Sequence, residues 1–289
     1  MATITATRLA AAPTNNRLPR ARSMLANLLL VAIIPVALAP VVWIVLQSFF
    51  KENQALSLPP VWVSTSLTSS SYSGVFDQIP FFTFLLNSAK ITAIVTFGSL
   101  ATSSLAAYAF ARLRFPGRDV LFLFFLSALM VPNQVTAAPT YLLMHHLGLA
   151  SSQAAVWLPG LVNVFGIFLL RQFFQGLPRD LEDAARLDGL GTLSILWRII
   201  LPLSKQALAA LAILVGAATW NDYFWPSIFL SKRSDMTLPV GLVSLQGQYK
   251  QGSPVLMFAA ISMTVGPLLI VFLFAQRSIT RSLAMTGFK

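Results

Sequence analysis

Residues 23–50, 91–111, 120–170, 206–221 and 251–276 contain no Asp, Glu, Lys or Arg. A charge at the centre of a membrane span costs about 2.5–3.5 kcal/mol on the insertion scale, and a span takes about 20 apolar residues. Buried helices of soluble cores rarely hold more than about 14 uniformly apolar positions, so lipid is the solvent these stretches suit. The stretch 120–170 is 51 residues long, too much for one span. Within it, His145-His146-Leu147-Gly148 and then Ser151-Ser152-Gln153 read as a turn. The pattern predicts an all-α membrane protein with six helices, near 25–48, 86–110, 119–143, 154–175, 205–228 and 255–276.

Composition agrees. Charged residues are 10% of the chain against about 25% in soluble domains, and the mean hydropathy is +0.73. There is no cysteine, which excludes disulfides, thiolate nucleophiles and Cys-ligated zinc. Ala37-Leu38-Ala39 resembles a signal-peptide cleavage site. The apolar run continues through Leu46, however, so the first span is expected to stay uncleaved.

The net charge of +11 would suggest nucleic acid in a soluble protein. Here its distribution is topological. With six spans both termini share a side. That side holds fifteen cations: Arg8, Arg17, Arg20, Arg22, Arg112, Arg114, Arg118, Arg171, Arg179, Arg186, Arg198, Lys205, Arg277, Arg281 and Lys289. The other holds five: Lys51, Lys90, Lys232, Arg233 and Lys250. The cation-rich side is cytoplasmic, and no nucleic-acid partner is needed. The domain reading is a disordered cytoplasmic arm (1–22), a six-helix membrane domain (23–276) and a cytoplasmic tail (277–289). Residues 51–80, rich in Ser, Thr and Pro, are expected to form an irregular external loop.

No Gly-Lys dipeptide occurs, so the chain lacks a phosphate-binding loop of the Gly-x-x-x-x-Gly-Lys type. No catalytic residue and no metal site is predicted. His145 and His146 are adjacent and point apart on a helix, which favours a structural or interfacial role over metal binding. The spans lack buried carboxylate–cation pairs, Asp222 excepted. An ion-coupled carrier normally needs such groups.

The least membrane-like segment is the cytoplasmic loop 176–204, which holds Leu177-Pro178-Arg179-Asp180-Leu181-Glu182-Asp183-Ala184-Ala185-Arg186-Leu187-Asp188-Gly189. Pro178 and the acids suit a helix start, Glu182 and Arg186 form a favourable i,i+4 pair, and Gly189 suits a left-handed cap. Leu181, Ala184, Ala185 and Asp188 are expected to share one face, with the alanine pair letting a partner surface approach. Thr192 is expected to cap a second short helix ending near Ile200. A solvated connector lying on the membrane is the alternative reading.

The run Asp183-Ala184-Ala185, then Gly189, then Ile199-x-Leu201-Pro202 resembles the Glu-Ala-Ala loop of ABC-importer permeases, with Asp183 where that family has Glu. Further phrases are similar to its carbohydrate-importer branch. They are Phe110-Ala111-Arg112-Leu113-Arg114-Phe115-Pro116-Gly117-Arg118, Met130-Val131-Pro132-Asn133-Gln134, Gly166-Ile167-Phe168-Leu169-Leu170-Arg171 and Trp220-Asn221-Asp222-Tyr223-Phe224-Trp225-Pro226. The resemblance covers about residues 24–289 and implies the type I importer permease fold. It implies a plasma-membrane permease subunit of a bacterial or archaeal importer, acting with a second, unlike permease subunit, two ATP-binding subunits and an extracytoplasmic solute-binding protein. ATP and Mg would sit on the ATP-binding subunits, and this chain would hold no cofactor. The implied coupling residues are Leu181, Glu182, Asp183, Ala184, Ala185, Arg186, Asp188, Gly189, Ile199, Leu201 and Pro202.

The expected solute is a sugar or oligosaccharide, with glycerol phosphate or a polyol as alternatives. A non-transporting receptor or scaffold leaves the loop pattern unexplained. Candidate pathway residues are the polar positions within spans: Asn133, Gln134, Asn163, Asn221 and Asp222. Trp220 and Trp225 complete the candidate pathway set, where they could stack on a sugar face; the favoured reading for both is as interfacial anchors. The tail ending Met285-Thr286-Gly287-Phe288-Lys289 departs from the small-residue ending of the family.

Overall fold

The computed structural model describes residues 20–55, 57, 61, 62, 64, 66–248 and 253–286. All regular structure among these is helical. The helices are α1 (Arg20–Gln47), α2 (Ser70–Gln78), α3 (Phe81–Arg112), α4 (Arg118–Ser127), α5 (Ala137–His146), α6 (Gln153–Gly160) and α7 (Val164–Gln175). They continue with α8 (Asp180–Leu187), α9 (Thr192–Ile195), α10 (Leu201–Leu203), α11 (Lys205–Trp220), α12 (Phe224–Phe229), α13 (Leu238–Gln248) and α14 (Pro254–Thr286).

Helix α3 is the axis of the fold. Its buried positions include Phe84, Ser88, Ile91, Val95, Ser99, Ser103, Ala107 and Ala111. This is a stripe at three- and four-residue spacing, as expected for one helix face. Serine and alanine in that stripe let neighbouring helices come close. Around the Arg112 half of α3, Tyr108, Leu170, Phe174, Ile195, Ile200, Leu211 and Val215 form the main cluster. Around the Phe81 half, Val75, Ile79, Phe84, Leu238, Leu242 and Ala259 form a second. Gly241 has no side chain because the buried ring of Phe84 occupies the space a Cβ would take.

Two helical segments among the described residues are long and apolar enough to cross a membrane, 81–112 and 153–175. A third appears if 192–203 and 205–220, which meet at 81°, are taken as one broken span. Residues 31–47 and 254–267 are shorter apolar helices.

Several sequence expectations change. The run 119–143 is not one helix: α4 passes through a 3₁₀ turn at Ala128–Met130 and stops. Val131 is extended (φ −90°, ψ 117°) because it precedes Pro132. The run 154–175 breaks before Asn163, and 205–228 breaks at 221–223. The segment 51–80 is not all loop, since α2 lies within it. Helix α13 was not foreseen. Helix α1 starts at Arg20, inside the arm assigned to 1–22, and residues 1–19 of that arm lie outside the described residues. Helix α14 runs to Thr286, through most of the segment read as a tail, and 287–289 lie outside the described residues.

Candidate functional site

Two places gather the predicted residues. The first is the short helix α8. Three acids occupy its first turn, complementing the positive end of the helix. Gly189 follows at φ +80°, the left-handed conformation that ends the helix and that side-chain-bearing residues avoid.

Within α8 only Glu182 and Ala185 are buried. They lie three residues apart and therefore on one face. The Nε of Arg112, at the end of α3, lies 2.8 Å from the Glu182 Oε1, and both side chains are almost wholly enclosed, at 3% and 4% exposure. The N–H is not aimed along that line, so this is a charge contact rather than a directed hydrogen bond. The Arg112 Nη2 donates to the carbonyls of Phe174, at 2.5 Å, and Leu177, at 2.7 Å. Tyr108 Oη donates to the Glu182 Oε2 at 3.4 Å. One guanidinium therefore ties α3, the end of α7 and α8 together. Arg186 reaches the Glu182 Oε2 at 3.9 Å, the expected i,i+4 pair, and Asp183 at 3.4 Å. Arg186 itself is half-exposed, and its contact with the exposed Asp183 is worth only about 0.3–0.5 kcal/mol.

The expected alanine face divides. Ala185 points inward and packs in the main core cluster, whereas Ala184 is exposed with Leu181, Asp188 and Leu187, the last at 90% exposure. Helical rotation of about 100° per residue sends adjacent positions to different sides. Thr192 does not cap the next helix. Gly191 occupies the cap position, and α9 passes into a π-helical segment, Leu196–Ile200. Ile199 and Leu201 pack on the main cluster, and Pro202 is exposed in α10.

The second place is a cavity of about 510 Å³ where three helices break. Its wall includes Asn133 and Gln134 from the gap after α4, Asn163 from the gap before α7, Asp222 from the gap at 221–223 and Trp225 from the start of α12. Thr136, Thr140 and Thr219 add hydroxyls, and Phe224 an aromatic ring. A helix break frees backbone groups that lipid cannot satisfy, so such breaks occur against protein or a wet cavity. Here the polar side chains supply part of that need. The Asn163 Oδ1 accepts from the Gly166 N–H at 2.7 Å, the Asp222 Oδ1 accepts from the Trp225 N–H at 3.4 Å, and the Thr136 hydroxyl donates to the Asn133 carbonyl at 2.9 Å.

Two predicted pathway residues fall outside this wall. Trp220 packs against the second cluster, and Asn221 turns back to donate to the Ala217 carbonyl at 2.8 Å. Sequence reasoning missed the threonines, which are ordinary in spans. It missed Arg112 as a site residue because a cation at a span end already has a topological explanation.

Known proteins are similar to this chain in sequence, and one solved structure is similar in fold. The arabinooligosaccharide transport system permease protein AraQ of Halalkalibacterium halodurans is 34% identical over 257 residues, covering 88% of this chain and 92% of its own. The sn-glycerol-3-phosphate transport system permease protein UgpE of Yersinia pestis is 37% identical over 210 residues, covering 72% and 74%. A chain from the crystal structure of a bacterial ABC transporter involved in the import of the acidic polysaccharide alginate superposes with a TM-score of 0.77 at 26% identity, over 92% of this chain and 99% of that one. Residues 94–284 match the family described as the binding-protein-dependent transport system inner membrane component. With two-thirds of its length inside that match and relatives that are permeases throughout, the chain belongs to this family: it is a membrane-integral permease of the binding-protein-dependent ABC importers.

Proposed function

We propose that this permease passes an uncharged carbohydrate, a sugar or oligosaccharide, and that it forms half of the pathway beside a second, unlike permease subunit. Two ATP-binding subunits carry out all ATP hydrolysis, and a solute-binding protein delivers from outside. Six spans place both termini and the loop 176–204 in the cytoplasm, in line with the fifteen-to-five division of cations. The outer face of α8, with Leu181, Ala184, Leu187 and the acids Asp183 and Asp188, docks on an ATP-binding subunit. ATP-driven closure of those subunits then shifts the permease pair between inward- and outward-facing states.

The observation that carries the solute class is the chemistry of the cavity. Among the described residues its lining supplies amides, hydroxyls, two aromatic rings and one carboxylate, Asp222, with no Lys, Arg or His. Amides and hydroxyls exchange hydrogen bonds with sugar hydroxyls, and the rings of Phe224 and Trp225 offer apolar faces. An anion finds no cationic partner among these residues. This argues against glycerol phosphate and acidic sugars, although some relatives are named for such solutes.

The test is uptake into proteoliposomes holding the complete complex, with its binding protein, ATP and radiolabelled probes. A neutral arabino-oligosaccharide is expected to compete with the native solute, and sn-glycerol 3-phosphate is not. ATP-driven accumulation of glycerol phosphate would overturn the solute assignment, and uptake without ATP would overturn the importer mechanism.

A further inference from the structure

We infer that Arg112 is a positioning residue through which movement of α8 is passed to the membrane helices. The inference rests on α8 being the helix that meets the ATP-binding subunit.

Helix α8 is only eight residues long, and its junctions are Gly176-Leu177-Pro178 on one side and Gly189-Leu190-Gly191 on the other. Gly189 takes a conformation with positive φ. Peptide links of this kind bend more readily than helices. A partner pulling on α8 would flex these links unless side chains fasten it to the spans.

The apolar fastening is slight, because Ala185 is the only buried apolar side chain that α8 supplies. The remaining internal attachment is Glu182, and its charge partner inside the protein is Arg112. Arg112 in turn holds two carbonyls where α7 ends and the loop begins, those of Phe174 and Leu177. Its own backbone is the last turn of α3, the most central helix. A displacement of Glu182 thus loads α3 and α7 at the same moment, through a group enclosed from water.

Lysine cannot replace this geometry. A guanidinium presents a planar fork of donors, and an ammonium is a single point of charge on a flexible stem. A buried pair is also unforgiving, because an uncompensated charge left behind by a single removal resists burial. Sliding of α8 against α3 is therefore disfavoured, and rigid movement together is favoured.

The experiment measures solute transported per ATP hydrolysed by the complete reconstituted complex. That ratio does not depend on how much complex folds, so a merely structural role would leave it unchanged. The main variant is Arg112→Met combined with Glu182→Leu, which removes both charges together, so that neither is left buried without the other. The ATP-binding subunit is expected to co-purify with it as with the unmodified chain, because the outer face of α8 is untouched. The ratio is expected to fall by about 2- to 30-fold, the range that coupling variants span. Arg112→Lys is expected to give an intermediate ratio.

An unchanged ratio in the double variant overturns the inference. If that variant does not accumulate, Arg112→Lys decides, and an unchanged ratio there overturns it equally. If the ATP-binding subunit fails to co-purify even with the unmodified chain, the docking role of α8 falls and this inference with it.

Discussion

The Asn163 carboxamide oxygen accepts the Gly166 backbone N–H at 2.7 Å, so the residue that caps α7 also forms part of the cavity wall. Gly166 is itself pressed between helices. A Cβ there would stand 2.7 Å from the Ser103 Oγ and 3.0 Å from a Leu211 methyl. The start of α7 is thus fixed by a side chain of the cavity wall and by close packing on α3 and α11.

That double role separates two substitutions. Asn163→Ala removes the cap and should lower stability by about 0.5–2 kcal/mol. Asn163→Asp keeps an acceptor for the Gly166 N–H but adds negative charge to the cavity. It should unfold within a degree or two of the unmodified protein while slowing uptake. Thermal unfolding in detergent, paired with uptake in proteoliposomes, checks both. Equal stability of the Ala variant would refute the capping role.

The two faces of α8 make opposite predictions. Ala185→Leu adds carbon to an enclosed site and should destabilise the permease itself by about 1–3 kcal/mol. Gly189→Val forces a β-branched residue to positive φ and should cost about 1–3 kcal/mol. Leu187→Asp, on the exposed face, should leave stability within about 0.5 kcal/mol. It should instead weaken co-purification of the ATP-binding subunit by about 30-fold, as loss of an interface hot spot of about 2 kcal/mol would. If Leu187→Asp binds that subunit normally, the outer face of α8 is not the dock.

At the Phe81 end of α3, Gly241→Ala places a methyl against the fully buried ring of Phe84. Overpacking there should cost about 1–3 kcal/mol. Adding Phe84→Leu should recover part of the loss, because the ring is the obstacle. Non-additivity in a double-mutant cycle, read by thermal unfolding, is the expected result.

Because the chain has no cysteine, single thiols report topology cleanly. Ser70→Cys, exposed at the start of α2, should react with an impermeant maleimide in intact cells. Thr192→Cys, exposed at the start of α9, should react only after the membrane is opened. The reverse pattern would invert the orientation.

Charge-free stretches revealed where helices run, because the cost of a buried charge is large and local. They did not reveal where helices break. Asn163 and Asp222 look in the sequence like polar residues tolerated within spans, and only the fold shows Asn163 capping α7 and Asp222 accepting a backbone N–H at the start of α12. Pro132 was the readable signal, since it restricts Val131. Helix α2 was legible too: Tyr72, Val75, Phe76 and Ile79 have the i, i+3, i+4, i+7 spacing of a helix face. Four serines among residues 69–73 masked it by composition. In the loop, the acids and Gly189 gave the helix and its end correctly. The direction of Ala185 was not readable, because the acid that sets it, Glu182, finds its partner seventy positions earlier, in α3.

The buried and exposed positions of α8 are distinct, joined only by the Arg186 side chain, and this has a consequence for exchangeability. Glu182 and Ala185 are buried in their own chain, whereas Leu181, Ala184 and Leu187 are exposed. Under the proposed docking, the exposed positions can change without disturbing the permease interior, so contact with a partner and packing within this chain can vary independently.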